Sequence, residues 1–207
     1  MRGVIVDFGL GNLRSIQHKL ARLAISVEVS ASPVTLQSAD FLILPGVGHF
    51  ATGMHQLRER GLLPVLQELV GEKKVPVLGI CLGMQLLTKW SEEGNIAGLG
   101  WIDATVRRFQ IEDGELKVPH IGWNTLRAAR SSPLLAGIAS DQRFYFVHSY
   151  HLDCADPSDV LATTEYGYGF PSVVQRGHIV GVQFHPEKSH RSGLQLVANF
   201  VQQVKQS

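Results

Sequence analysis

Gly79-Ile80-Cys81-Leu82-Gly83 restricts this chain more than any other segment. It follows the apolar run Val75 to Ile80 and leads straight into Met84-Gln85-Leu86-Leu87, a helix start. An apolar strand that becomes a helix across so short a turn has the form of a nucleophile elbow, with cysteine in place of serine. Such a turn pushes its central residue into a strained conformation, and flanking glycines prevent a side-chain clash there. The adjoining helix amino terminus favours a thiolate. A lone cysteine taken by itself is better read as a small buried apolar residue. Glycines at both offsets reverse that preference.

An elbow needs a sheet, and the rest of the chain supplies one. Val4 to Val6 is apolar and β-branched, and Asp7 to Asn12 forms a turn suited to capping the next helix. Leu13, Ile16, Leu20 and Leu23 recur at helical spacing, and the chain returns as a strand near Val27 to Val29. Phe41 to Leu44 is a second buried strand, running into Pro45-Gly46-Val47-Gly48. A helical stretch with Met54 and Leu57 follows, with a break at Gly61. From Leu99 onward the pattern changes to short strands, at Phe144 to Val147, Val160 to Thr163, Ser172 to Gln175 and Ile179 to Phe184, before a closing helix from about Ser192. This predicts an α/β fold, a central mixed, mostly parallel sheet flanked by helices, in one domain over residues 1–207.

Composition removes several classes of function. The formal net charge of the 207 residues is +1 and no long basic run occurs, so there is no electrostatic footprint for nucleic acid or an anionic membrane. Met1 to Asp7 lacks the regions of a signal peptide, and the nearly uncharged Val75 to Thr88, with Pro76, Gly79 and Gly83, is too short for a membrane helix. Cys81 and Cys154 lie far apart without a C-x-x-C pattern, against a disulfide scaffold or a cysteine-based zinc site. A cytoplasmic location is expected.

Gly181-Val182-Gln183-Phe184-His185-Pro186-Glu187 carries the second signal. Residues two apart in an extended segment face the same side, so Glu187 reaches the His185 ring nitrogen turned away from the thiol, and Pro186 keeps the stretch extended. Cys81, His185 and Glu187 would then be nucleophile, base and orienting acid, once folding brings them together. Without Cys81, His-Pro-Glu would be an ordinary turn after an edge strand. Pro45-Gly46-Val47-Gly48 lies at the carboxyl end of a strand, where ligands bind in open α/β sheets. An amide of Val47 or Gly48, with that of Leu82, suits an oxyanion. Alone, that loop would be a simple turn.

Together these residues resemble the class I, or triad, glutamine amidotransferases, an α/β family of flavodoxin-like fold. The likeness narrows further. Pro45-Gly46-Val47-Gly48, Gly79-Ile80-Cys81-Leu82-Gly83-Met84-Gln85, Pro119-His120-Ile121-Gly122-Trp123-Asn124, Phe146-Val147-His148-Ser149-Tyr150 and Gln183-Phe184-His185-Pro186-Glu187-Lys188-Ser189 occur in the order found in the glutaminase subunits of imidazole glycerol phosphate synthase, of histidine biosynthesis. The resemblance runs from Asp7-Phe8-Gly9 to the last helix. It implies that Cys81 attacks the side-chain amide of glutamine, that His185 protonates the departing ammonia, and that water hydrolyses the glutamyl thioester. It further implies that Gly46, Gln85, Ser149 and Tyr150 hold the substrate. Ammonia would pass to a cyclase subunit with a (βα)8 barrel, forming a heterodimer with this chain. Asn12, His120, Trp123, Asn124, Tyr145 and Lys188 are the implied partner-facing set, with Trp123 equally readable as core. No organic cofactor or metal is implied, and Gly46 and Gly48 would give the oxyanion loop freedom for a peptide flip.

Other patterns are set aside. Gly9-Leu10-Gly11 begins like a dinucleotide fingerprint, but Arg14 occupies the third glycine position. His148 and His151 would fall on opposite faces of one strand, with no third metal ligand. Cys154, near Asp153 and Asp156, is incidental, because the acids oppose a thiolate. Two alternative functions remain. One is a glutaminase serving another synthase, for surface-sugar amidation or for vitamin B6, although the glycine-glycine-glutamate loop of the latter is missing. The other is a catalytically silent binding subunit, against which the intact Cys81, His185 and Glu187 speak.

Overall fold

The computed structural model describes residues 1–111, 114 and 116–206. Strands β1 (Gly3–Val6), β2 (Val27–Ser30), β3 (Phe41–Gly46) and β4 (Val77–Cys81) alternate with helices α1 (Leu13–Ala21), α2 (Pro33–Gln37), α3 (Phe50–Glu59) and α4 (Leu62–Leu66). The short α5 (Leu82–Leu86) leaves β4 directly. Next come β5 (Thr88–Ser91), β6 (Ile96–Ala97), β7 (Ile102–Arg108), β8 (His120–Thr125), β9 (Arg127–Ala128), β10 (Arg143–His148) and β11 (Tyr150–Cys154). The chain closes with β12 (Val160–Tyr166), β13 (Tyr168–Arg176), β14 (Ile179–Val182) and α6 (His190–Gln206).

The main sheet has the order β2-β1-β3-β4-β14-β13-β12-β9. Neighbours from β2 to β14 are parallel and those beyond β14 antiparallel, which is the mixed α/β sheet the sequence predicts. The expectation that Phe144 to Val147 joins this sheet is corrected. Among the described residues β10 pairs only with β8, and β11, β7, β5 and β6 form a third sheet. The cause is alternation: Phe144 and Phe146 point inward onto Phe184, with ring centroids 4.3 Å and 5.6 Å away, so β10 lies across the sheet face instead of extending its edge.

Period-two alternation also builds two cores from each strand. Val4, Val6, Leu42 and Leu44 pack with Phe50, Met54, Leu57 and Leu66 on one face. Ile5, Phe41, Ile43 and Ile80 pack with Ile16 and Leu20 of α1 and with Leu196, Val197 and Phe200 of α6 on the other. Because the parallel strands are covered on both sides, their sequences read as unbroken apolar runs. Gly61 ends α3 with φ +66°, the expected break, and α4 resumes beyond it. The Asp7 to Asn12 turn closes differently from expectation. The Asn12 side chain makes no capping bond, and Asp7 Oδ1 instead accepts from the Gly9 amide at 2.9 Å. Among the described residues no helix is long and apolar enough to cross a membrane.

The elbow depends on one close approach. A Cβ at Gly83 would overlap the carbonyl oxygen of Leu44 on β3, and backbone cannot yield as a flexible side chain does. Gly83→Ala is therefore expected to destabilise the fold by about 3 kcal/mol, the upper end for overpacking. Denaturant unfolding checks this, and wild-type stability in the variant would contradict the packing described.

Candidate active site

Cys81 is the last residue of β4, with φ +54° and ψ −112°. It is a free thiol and only 6% exposed. Parallel register places it beside Gly46 of β3. The same register pairs Ile80 with Val182 of β14, so the residues after both strands emerge side by side at the carboxyl edge of the sheet. That is how Cys81 and His185, far apart in sequence, reach one cavity.

His185 Nδ1 lies 2.9 Å from Glu187 Oε1, with both side chains buried. The extended geometry expected for this segment is corrected. His185 itself is extended, but Pro186–Lys188 forms a 3-10 turn that folds Glu187 back under the ring. Ser189 fixes the turn: its hydroxyl donates to the His185 carbonyl at 2.6 Å and accepts from the Tyr145 amide at 3.0 Å. The other ring nitrogen, Nε2, is buried without a hydrogen bond of normal geometry. Burial works against the imidazolium, but interactions with Cys81 first and Glu187 second outweigh it and raise His185 to about 9. The proton is thus present on the ring at neutral pH.

A cavity of about 310 Å³ opens over this pair. Val47, Gly48, Leu82, Gln85, Ser149 and Tyr150 all line it. Gly48 has φ +107° with open space around it, a conformation suited to glycine. Gly46 lies outside the cavity lining. It is buried beneath the loop, where a Cβ would crowd Leu82 at 2.9 Å, so it serves close packing. Gln85 spends its amide hydrogens inside the protein, donating to the Tyr150 carbonyl and to Gln183 Oε1, each at 3.1 Å. Only its Oε1 is left for a ligand.

Two residues of the site escaped the sequence reading. Glu93 lines the cavity, with Oε2 accepting from the Phe50 amide at 2.7 Å. No motif marks it, since it sits in a polar turn between β5 and β6. Gln183, fully buried, donates through Nε2 toward Cys81 Sγ at 3.8 Å. A larger groove of about 950 Å³ lies at the opposite end of the parallel strands, walled by Met1, Asp40, Lys74 and His178, away from the cysteine.

The partner-facing set divides by strand alternation. On β8, Trp123 is 43% exposed and stacks on His190 at 5.0 Å, so the core reading of Trp123 is set aside. Tyr145 lies opposite Trp123 in register, and Lys188 Nζ stands 5.4 Å over the Tyr145 ring. Asn12 is exposed at the start of α1. His120 points the other way: it is 3% exposed, stacked on Tyr166 at 4.0 Å, and is corrected from surface to interior. Asn124 shares that inward face, donating to the Glu165 carbonyl at 2.8 Å. His148 and His151 are not on one strand. The chain bends at Ser149, and both rings pack on Phe109, at 5.2 and 4.7 Å. Among the described residues no group of three or more His, Cys, Asp or Glu is placed to hold a metal. Cys154 is pushed up to about 12, by burial first and then by Asp159, Asp153 and Asp156, which leaves it inert.

A family model for class-I glutamine amidotransferases matches residues 4–204. Imidazole glycerol phosphate synthase subunit HisH 2 of Pseudomonas aeruginosa is 47% identical, over 97% of this chain and 99% of that protein. The protein of the same name from Methanococcus maripaludis is 45% identical, over 97% and 98%. A crystal structure of a glutamine amidotransferase superposes with a TM-score of 0.77 over 99% of this chain and 98% of that one, at 23% identity, a likeness of fold. The chain belongs to the class-I glutamine amidotransferase family, in the group named imidazole glycerol phosphate synthase subunit HisH.

Proposed function

We propose that this chain hydrolyses glutamine to glutamate and ammonia through Cys81, His185 and Glu187, and delivers the ammonia to a cyclase subunit in histidine biosynthesis. The observation that carries this reading is the strained Cys81 beside a protonated, carboxylate-held His185 in one cavity. Glutamine enters with its side-chain amide at the sulfur. Its ammonium meets Glu93, an acid with one oxygen already fixed by Phe50. The thiolate attacks the amide carbon, and backbone amides of Val47 or Gly48 and of Leu82 take the developing oxyanion. His185 gives its Nε2 proton to the nitrogen, the carbon–nitrogen bond breaks and ammonia leaves a glutamyl thioester. A water then gives a proton to His185 as its oxygen attacks the thioester, so that glutamate and the thiolate are regenerated with the ring protonated. Glu187 holds the ring in register throughout.

Residues 1–207 act as one domain in this reading, in the cytoplasm. The partner docks on the outer face of β8 and β10, where the exposed Trp123 and Lys188 flank the half-buried Tyr145, and on Asn12, exposed before α1. His120 and Asn124 support that face from within. A second reading rests on the cavity, whose lining suits glutamine hydrolysis and does not single out the acceptor of the ammonia. In it, the same glutaminase feeds a different ammonia-using synthase.

Cys81→Ala is expected to abolish glutamate release from glutamine while leaving ammonia-dependent synthesis by the complex with the barrel cyclase intact. Coupled assays with glutamine and with ammonium salts check this. Loss of both activities would contradict the division of labour, and an active glutaminase with no cyclase coupling would favour the second reading.

The raised His185 also fixes a pH dependence. A histidine whose folded value lies above its ordinary 6.5 contributes stability that is fully present below pH 6.5 and lost as pH rises through about 9. Cys81→Ala removes the strongest raising interaction, so the His185 titration followed by nuclear magnetic resonance moves down and the loss of stability between pH 6.5 and 9 flattens. An unmoved titration would overturn this view of the pair.

A further inference from the structure

The mechanism leaves three buried polar side chains around the cavity unused: Gln183, His148 and His120, respectively 0%, 6% and 3% exposed. They form one connected chain. The Tyr150 carbonyl only accepts, so His148 Nδ1, 2.7 Å from it, carries the proton. His148 Nε2 therefore holds a lone pair, and His120 Nδ1, 3.0 Å away, is the donor to it. His120 Nε2 is left as acceptor and faces the Asn124 amide at 3.5 Å. On the far side, the same Tyr150 carbonyl accepts from Gln85 Nε2, whose second hydrogen goes to Gln183 Oε1. That contact turns the Gln183 amide so that Nε2, and not its oxygen, is presented to Cys81 Sγ at 3.8 Å. The Tyr150 carbonyl accepts from both sides, so it fixes the polarity of the Gln85–Gln183 branch and of the histidine branch separately. Were Gln183 inverted, a carbonyl oxygen would face the sulfur and repel an anion there.

Both imidazoles have surroundings that keep them neutral. His148 packs on Phe109 and Phe170, at 5.2 Å each, and His120 lies between Phe146 and Tyr166. Burial pushes His148 down to about 3 and His120 to about 4. A protonated His148 would have no lone pair for His120, and the chain would break there.

We propose that Gln183 donates a hydrogen bond to the Cys81 sulfur that stabilises its charge as a nucleophile, in an orientation held by Gln85 and the Tyr150 carbonyl. The inference rests on Cys81 being the nucleophile of the proposed function.

Two probes on the full-length chain separate the claims: iodoacetamide, which reads the reactivity of the thiol alone, and a diazoketone analogue of glutamine, which also needs the substrate site. Gln183→Met is expected to slow alkylation of Cys81 at neutral pH about tenfold, the scale of one hydrogen bond to an anion. It should also lower the maximal rate of capture by the analogue. If that variant does not fold, Gln183→Leu, which also removes the donor without adding a charge, is read in the same way. Wild-type alkylation in the Gln183 variant would overturn the proposal. A wild-type chain that iodoacetamide alkylates and the analogue does not capture would instead sink the glutaminase reading, leaving the sulfur hydrogen bond to be judged by iodoacetamide.

Discussion

Holding a residue other than glycine at φ +54° costs about 1–3 kcal/mol, and Cys81 bears that strain because its turn is gripped on both sides. β3 and β14 hydrogen-bond to β4 in parallel register up to the residue before the turn, and Gly83 then passes against the Leu44 carbonyl. Local strain of this size survives only where the surroundings over-determine it. Here the two apolar cores, packed on either face of the same strands, supply that rigidity. The elbow in turn decides where everything else must be. The Pro45 to Gly48 loop lies beside the sulfur because β3 is the neighbour of β4, and His185 reaches it because β14 is the other neighbour.

Histidines of similar burial behave oppositely around the cavity. His185 is raised because a thiol and a carboxylate face its two nitrogens, whereas burial among aromatic rings lowers His120 and His148, and the Tyr150 carbonyl offsets only part of that at His148. Burial disfavours the cation at all three, and only a nearby acid reverses that. One ring is thus set to carry a proton to a leaving group. The other two are set to keep a fixed polarity.

Much of this was legible in the residues. The elbow, the apolar runs of the parallel strands and the helical spacing of Ile16 and Leu20 are local patterns with a single physical reading. Cys81, His185 and Glu187 were identifiable because each belongs to a short motif. What escaped depends on tertiary placement. Glu93 reaches the cavity only because the turn after β5 folds onto α3, and Gln183 matters only because β14 is adjacent to β4. His120 was misplaced at the surface because alternation on β8 cannot be phased before the strand's buried face is known, and the same alternation exposes Trp123. α2 and the π-helical turn at Gln67–Glu72 are too short for periodicity to reveal. The antiparallel half split into separate sheets because its aromatic residues fold β10 over the main sheet, a choice made by packing.

The central claim is that Cys81 is the atom on which glutamine is opened, and the covalent intermediate tests it most directly. The full-length chain, alone and with the barrel cyclase, is mixed with glutamine, quenched in acid within the first turnover and digested for mass spectrometry. The account predicts a glutamyl adduct on the peptide that carries Cys81 and none on the one that carries Cys154. Glutamine turnover without an adduct on Cys81, or with the adduct on Cys154, would contradict it.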